Sequence, residues 1–275
     1  MHYEKTTWRL IEHPPANGAW NMAVDEAILE SVYTNESPPT LRLYAWEPPC
    51  LSLGHAQRLS EANLEVLNLN GWHLVRRPTG GRAILHVDEL TYSVIAHQSE
   101  PRVCGGVLES YLRLSKALLE ALRIMGLNPE ANENAANDKP PKPNPVCFEV
   151  PSNYEITVNG KKLIGSAQAR RKEGILQHGA LPLYGDLTRI ITALEFEDNT
   201  AQANAKSRLL AHATTIEREL GYPPSWEQAS RAFQSAFQRV LNLDLQPGQL
   251  TEEETQRAQQ LVLEKHDHPS WIQRI

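Results

Sequence analysis

The sequence predicts an α/β protein: a mixed strand-and-helix domain over residues 1–186, followed by a small helical region over residues 187–275. Three observations predict it. Alternating apolar runs interleave with stretches of 3.6-residue period up to Tyr184-Gly185-Asp186. Beyond that point the chain reads almost entirely as capped helices. A chain of 275 residues with 41% hydrophobic content can build a large core plus a smaller one.

Each element follows from local chemistry. Asn21 can cap a first helix running to Tyr33. Residues 41–46 alternate as a strand, Pro48-Pro49 break it, and Leu51-Ser52-Leu53-Gly54 begins another. Further strands are predicted at 72–76 and 90–96. Residues 107–125 carry an apolar stripe of Val107, Leu108, Tyr111, Leu112, Leu118, Leu119, Leu122 and Met125, a long amphipathic helix. The polar, proline-rich stretch 129–145 cannot build a core and reads as a long surface loop. Ser225-Trp226-Glu227-Gln228 and Thr251-Glu252-Glu253-Glu254 are capping boxes. The first opens a helix with Phe233, Phe237, Val240 and Leu241 on one face; the second opens a helix reaching Leu261.

Composition excludes several functions. A net charge of −6 argues against a general nucleic-acid binder or an anionic-membrane binder, both of which need a basic field. No apolar run approaches bilayer length, and Met1-His2-Tyr3-Glu4-Lys5 lacks a signal-peptide core, so a soluble cytoplasmic protein is expected. Cys50, Cys104 and Cys147 form no Cys-x-x-Cys pair, which disfavours a disulfide framework or a structural zinc site. His266-Asp267-His268 offers two imidazoles without a third ligand, so no metal is expected.

Three segments carry candidate chemistry. In Arg76-Arg77-Pro78-Thr79-Gly80-Gly81-Arg82-Ala83-Ile84-Leu85-His86, the glycines let backbone amides approach a ligand and the arginines can hold an acidic group. The same pattern also suits a plain hairpin turn, and the Gly-Lys-Ser/Thr ending of a phosphate loop is absent. In residues 154–168, Asn159-Gly160 between alternating runs marks a hairpin. A two-residue turn sets Lys162 opposite Thr157, on the face of Glu155 and Ile164. Lys162 then either faces a cleft or pairs with Glu155 on a wet face. Cys147, in Pro145-Val146-Cys147-Phe148, follows the polar loop and precedes that hairpin. It is a nucleophile activated by a nearby cation, or a hydrophobe-like thiol between Val146 and Phe148. His178, in Gln177-His178-Gly179 on a strand after the hairpin, can line the same cleft or be a satisfied histidine.

Together these segments resemble the biotin/lipoate protein-ligase superfamily. Arg76-Arg77-x-Thr79-Gly80-Gly81-Arg82, His86, then Glu89-Leu90-Thr91-Tyr92-Ser93 is similar to its signature. So are Asn21-Met22-Ala23-Val24-Asp25-Glu26-Ala27, the stretch 46–57, and Lys161-Lys162-Leu163-Ile164-Gly165-Ser166-Ala167-Gln168. The resemblance implies a fold of mixed, largely antiparallel sheets flanked by helices. ATP-dependent lipoate ligases usually show Gly-Arg-Asn-Asp before the lysine hairpin; this chain has Pro151-Ser152-Asn153-Tyr154-Glu155, preceded by Cys147-Phe148. That is similar to the LipM-type octanoyltransferases and to relatives that move octanoyl groups between lipoyl proteins. One departure stands out. The family places an aspartate directly after the histidine, whereas Val87 separates His86 from Asp88 here; on a strand this puts Asp88 on the face of His86.

The resemblance implies two-step acyl transfer. Cys147 takes octanoyl from octanoyl-acyl carrier protein, and a lysine of the glycine-cleavage H protein or another lipoyl domain takes it from Cys147. Lys162 favours the thiolate and the developing oxyanion. The resemblance also implies a substrate slot formed by Arg76, Arg77, Thr79, Gly80, Gly81, Arg82, His86, Gly165, Ser166, Ala167 and His178. Arg76, Arg77 and Arg82, with Arg170, Arg171 and Lys172, are the basic groups available to dock acidic partners. No cofactor is expected; ATP and magnesium enter only if the chain is a ligase instead.

Overall fold

A computed structural model of the chain describes residues 3–133, 154–172 and 174–275. The strands among them are β1 (Thr6–Glu12), β2 (Thr40–Tyr44), β3 (Cys50–Leu53), β4 (His73–Arg76), β5 (Ile84–His86), β6 (Glu89–Ala96), β7 (Pro129–Glu133), β8 (Tyr154–Val158), β9 (Lys161–Arg171), β10 (Gly174–Pro182) and β11 (Leu243–Pro247). The helices are α1 (Gly18–Tyr33), α2 (Leu64–Leu69), α3 (Val107–Ile124), α4 (Arg189–Thr192), α5 (Asn199–His212), α6 (Ile216–Leu220), α7 (Trp226–Leu241), α8 (Glu252–Leu261) and α9 (Pro269–Ile272).

Eight of these strands form one twisted sheet in the order β11-β1-β2-β6-β10-β9-β8-β7. β1 runs parallel to both of its neighbours, and every later pairing is antiparallel. The expected mixed, largely antiparallel architecture is the one observed. A second sheet, β4-β3-β5, packs beside the first. α3 and α7 cover one face of the large sheet, where Leu118, Leu122, Phe233 and Phe237 meet Tyr92, Ile156 and Leu163. α1 and α8 cover the other face through Ala23, Ala27, Ile28, Ala258 and Leu261. Burying one phenylalanine of the first cluster stabilises the fold by about 1.5–3 kcal/mol.

Both capping boxes form as read: Ser225 accepts from Gln228, and Thr251 accepts from Glu254. Three expectations need correction. α1 begins at Gly18 with Asn17 as its cap, because Asn21 is buried and donates to the carbonyls of Ala16 and Ala45. Residues 129–133, expected as loop, pair with β8 as an edge strand. The region 187–275 is helical as read, but it also contributes β11 to the edge of the sheet, and α7 shares the large core. A five-residue polar-rich edge strand carries too little alternation to stand out from its surroundings.

Candidate active site

The lysine hairpin turns where the sequence places it. Asn159 and Gly160 adopt φ of 50° and 75°, both left-handed, and Thr157 pairs with Lys162. The register then slips: Ile156 faces Ile164, so Leu163 is an extra residue on β9. Such a bulge reverses the alternation of side chains. Leu163 and Ile164 both enter the core beneath α3 and α7. Lys162 and Glu155 lie on the opposite face, the face of Gly165. The expectation that Lys162 shares a face with Ile164 is therefore corrected, with the bulge as its cause. Lys162 is 4% exposed, and its Nζ sits 3.0 Å from Glu155 Oε1. The pairing with Glu155 is real, but it is buried and not on a wet face.

On that face a cleft opens between the two sheets. It encloses about 440 Å³ of space, counting the part open to solvent. Its large-sheet wall is Tyr44, Thr91, Gly165, Ser166, Ala167, His178, Gly179 and Ala180; its small-sheet wall is Trp46, Ser52, Arg77, Gly81, Ile84 and His86. Met22 of α1 also lines it. Seven residues named from the sequence therefore converge here: Arg77, Gly81, His86, Gly165, Ser166, Ala167 and His178. The remaining four do not line the cleft. Arg76 is fully buried and donates to the carbonyls of Gly54, Gln57, Trp271 and Ile272. Thr79 stands behind the cleft wall, with its hydroxyl 2.6 Å from His178 Nε2. Gly80 is exposed, and Arg82 reaches towards Glu61 at 3.8 Å.

The 79–81 turn is held tightly. Arg77 donates to the carbonyls of Ser52, Gly80 and Arg82. Gly81 adopts φ of 90°, and its carbonyl lies 1.9 Å from where a Cβ on Gly54 would be, so no side chain fits at Gly54. Arg76 and Arg77 are thus internal ties and not docking charge, since a guanidinium with buried acceptors on several sides is unavailable to a partner.

His86 is fixed from three sides. Its Nδ1 lies 2.6 Å from Glu89 Oε1, its Nε2 2.8 Å from Ser52 Oγ, and its ring stacks on Trp46 at 4.0 Å. The acid partner of His86 is therefore Glu89. Asp88 instead pairs with Arg189. The strand reading of residues 86–88 fails because β5 ends at His86 and the chain turns through Val87 and Asp88 before β6 begins.

A third group had no role in the sequence reading. Asp25, fully buried in α1, accepts from Arg42 Nη1 at 2.8 Å, Ser93 Oγ at 2.9 Å and Tyr44 Oη at 3.1 Å, and faces His178 Nδ1 at 3.5 Å. Burial pushes its carboxyl up, but the Arg42 charge and the bonds from His178 and Arg42 outweigh burial and hold it below the usual range. Burial outweighs Asp25 at His178, whose imidazole stays below its ordinary range and is neutral at pH 7. The sequence did carry a signal. Asp25 sits amid Met22, Val24, Ala27 and Ile28, and Arg42 sits between Leu41 and Leu43. A charge inside an apolar element needs a buried partner.

Cys147, the predicted nucleophile, lies outside the described residues. Cys50 is fully buried against Trp46 and Val75, and burial pushes its thiol far above the ordinary value, so it is core material. Cys104 is half-buried beside the Pro101 carbonyl. Among the described residues, no helix is long and apolar enough to cross a membrane.

Residues 17–238 match the family model of the lipoyl protein ligase A/B catalytic domain. The chain is 40% identical over 260 residues to a protein of Kyrpidia tusciae named octanoyltransferase LipM, covering 93% of this chain and 95% of that one. It is 41% identical over 276 residues to the octanoyltransferase LipM of Symbiobacterium thermophilum, covering 98% and 99%. Among solved structures it resembles a lipoate-protein ligase A bound with ATP, with a TM-score of 0.79, 25% identity and coverage of 97% and 98%. A bipartite lipoate protein ligase from Thermoplasma acidophilum shares the fold at a TM-score of 0.79 and 24% identity, covering 98% and 96%. Set beside a buried lysine and an apolar cleft on one face of a shared sheet, these matches establish that the chain belongs to the lipoyl protein ligase A/B catalytic-domain family.

Proposed function

We propose that the protein is an octanoyltransferase of protein lipoylation, moving an octanoyl group from octanoyl-acyl carrier protein to a lysine of a lipoyl-domain protein such as the glycine-cleavage H protein. The naming of full-length relatives as octanoyltransferases supports the acyl group and the reaction class. The observation that carries the reading is the bulge at Leu163, which sets the Lys162 ammonium on the same face as a cleft floored by Gly165, Ala167 and Ala180. Small floor residues leave room for an alkyl chain, and burying it contributes about 0.8 kcal/mol per methylene.

In this reading the Cys147 thiolate attacks the donor thioester. The carrier's pantetheine thiol leaves, and octanoyl-Cys147 forms. The acceptor amine then attacks that thioester, the amide forms, and the Cys147 thiolate leaves with the amine's proton going to solvent or base. Lys162, held by Glu155, supplies positive charge for the thiolate and for each tetrahedral oxyanion. The reading calls for no cofactor, and its expected setting is the cytoplasm.

Incubation with octanoyl-acyl carrier protein in the absence of ATP, followed by peptide mass mapping, tests it. An octanoyl adduct on the peptide bearing Cys147, chased onto a lipoyl domain, is the expected result. Normal turnover by Cys147→Ala would remove the covalent route. Transfer that requires ATP would make the chain a ligase. A better yield from octanoyl-H protein than from octanoyl-carrier protein would make it an amidotransferase between lipoyl proteins.

A further inference from the structure

Past Ile84 the cleft meets a second cavity, and Ile84 lines both. On the cleft floor Thr91 pairs with Ala180, and Ala180 with Gly165. Two residues along the same strands, Glu89 pairs with Pro182, and both line the second cavity. In the same direction along β9, the bulge at Leu163 brings Lys162 to this face just before Gly165. Glu89 on β6 and Lys162 on β9 therefore stand at one level of the sheet, with β10 between them. Two strand spacings separate their backbones by roughly 10 Å.

The second cavity encloses about 490 Å³, counting the part open to solvent. Tyr184 and Asp186, both exposed, form its rim; Ile84 and the buried Glu89 lie at its inner end. Between rim and inner end the walls include Val87, Pro182, Leu187 and Leu209. Arg189, the cation in the lining, pairs with Asp88, and Asp186 accepts from the Thr188 amide and hydroxyl. Glu89 is different. It is 6% exposed, and its Oε1 is taken by His86 Nδ1 and Thr91 Oγ1, which leaves Oε2 without a hydrogen-bond partner among the described residues. A buried carboxylate oxygen without a donor is costly unless a ligand or water supplies one.

We infer that this cavity is the channel by which the acceptor lysine reaches the octanoyl thioester, and that Glu89 Oε2 receives its ammonium. The inference rests on the acyl-transfer reading above and extends it to the second substrate. The apolar walls suit the four methylenes of a lysine side chain, and a carboxylate at the inner end suits its charge. His86, stacked on Trp46 and bonded to Ser52 Oγ, holds the Glu89 carboxylate in place. The octanoyl tail lies on the other side of Ile84, so the thioester carbon sits where the two cavities meet. Its oxygen turns to Lys162, and the amine approaches from Glu89. Acyl tail and acceptor lysine thus enter from opposite sides, and neither displaces the other.

The two half-reactions test this separately: loading of the enzyme from octanoyl-acyl carrier protein, and transfer from the isolated octanoyl-enzyme to an unmodified lipoyl domain. Glu89→Gln keeps an acceptor for His86 and Thr91 but loses the charge. It should raise the half-saturating concentration of lipoyl domain in the transfer step roughly tenfold, and slow loading far less. Val87→Trp narrows the channel; it should also slow transfer more than loading, and it serves if Glu89→Gln does not fold. Equal loss of loading and transfer in Glu89→Gln would reduce Glu89 to a support for His86 and overturns the inference. Wild-type transfer by either folded variant overturns it as well, and leaves the acyl-transfer reading standing. If the wild-type protein acquires no octanoyl group at all, the acyl-transfer reading itself falls, and the channel falls with it.

Discussion

Lys162 and Ile164, two residues apart on one strand, point to opposite faces of the sheet. Leu163 is the extra residue that separates them, and the consequence is a buried ammonium beside a carboxylate, on the face of the sheet that carries the apolar cleft. Removing either partner takes a close, buried counter-charge from the other, which costs more than the pair contributes.

Lys162→Met should lower transfer by at least 100-fold if the proposed mechanism holds, in which its ammonium faces the developing oxyanion. Glu155→Gln should lower the stability of the fold, since the buried Lys162 ammonium loses a close counter-charge, yet weaken transfer less, since Lys162 remains. Single-turnover rates for the two variants check the order; equal loss in both would place the main role on Glu155.

Ala180→Leu should fill part of the cleft that Ala180 lines. Octanoyl transfer should fall at least tenfold through a raised KM, while the thermal midpoint changes by no more than a few degrees. A variant with wild-type KM would show that the acyl chain does not lie over Ala180.

Arg42 and Asp25 are both fully buried. Arg42→Met leaves the Asp25 carboxylate without its main counter-charge and should destabilise the fold by about 3–5 kcal/mol. Arg76→Met should cost about 3 kcal/mol for a different reason: it strips donors from carbonyls at Gly54, Gln57 and Ile272, which join the segment after β3 to the segment around α9. Urea unfolding of each variant measures both numbers.

His13 gives the stability a defined pH dependence. Burial, with the adjacent Arg42 cation, lowers its pKa to about 4, because its Nδ1 accepts from Arg42 Nε at 2.9 Å. The unfolded value is about 6.5. Between these two values the unfolded chain binds more protons than the folded one, so stability falls as pH drops from about 6.5 towards 4. Glu26 acts lower. Burial raises its pKa, but the bond from His266 and the Lys265 charge outweigh that and bring it to about 2. Its contribution is present above the unfolded carboxylate value of about 4.3 and is lost as pH falls towards 2. Urea midpoints at pH 7, 5 and 4 should decline for the wild-type chain and decline less between 7 and 4 for His13→Gln.

The sequence by itself determined the secondary elements with strong local chemistry and the segments that build the cleft. Asn159-Gly160 specifies its turn through left-handed φ angles, the two capping boxes specify α7 and α8, and Gly80-Gly81 marks the turn where the sheets approach each other. These are local properties, set within a few residues. Tertiary structure decided which face Lys162 takes, because a bulge depends on what the partner strand and the core beneath it require. It also decided that Glu89 and not Asp88 serves His86, since that turns on where β5 stops. Above all it decided the role of Asp25: Arg42, Ser93, Tyr44 and His178 come from three strands, and only the register between those strands brings them to one carboxylate.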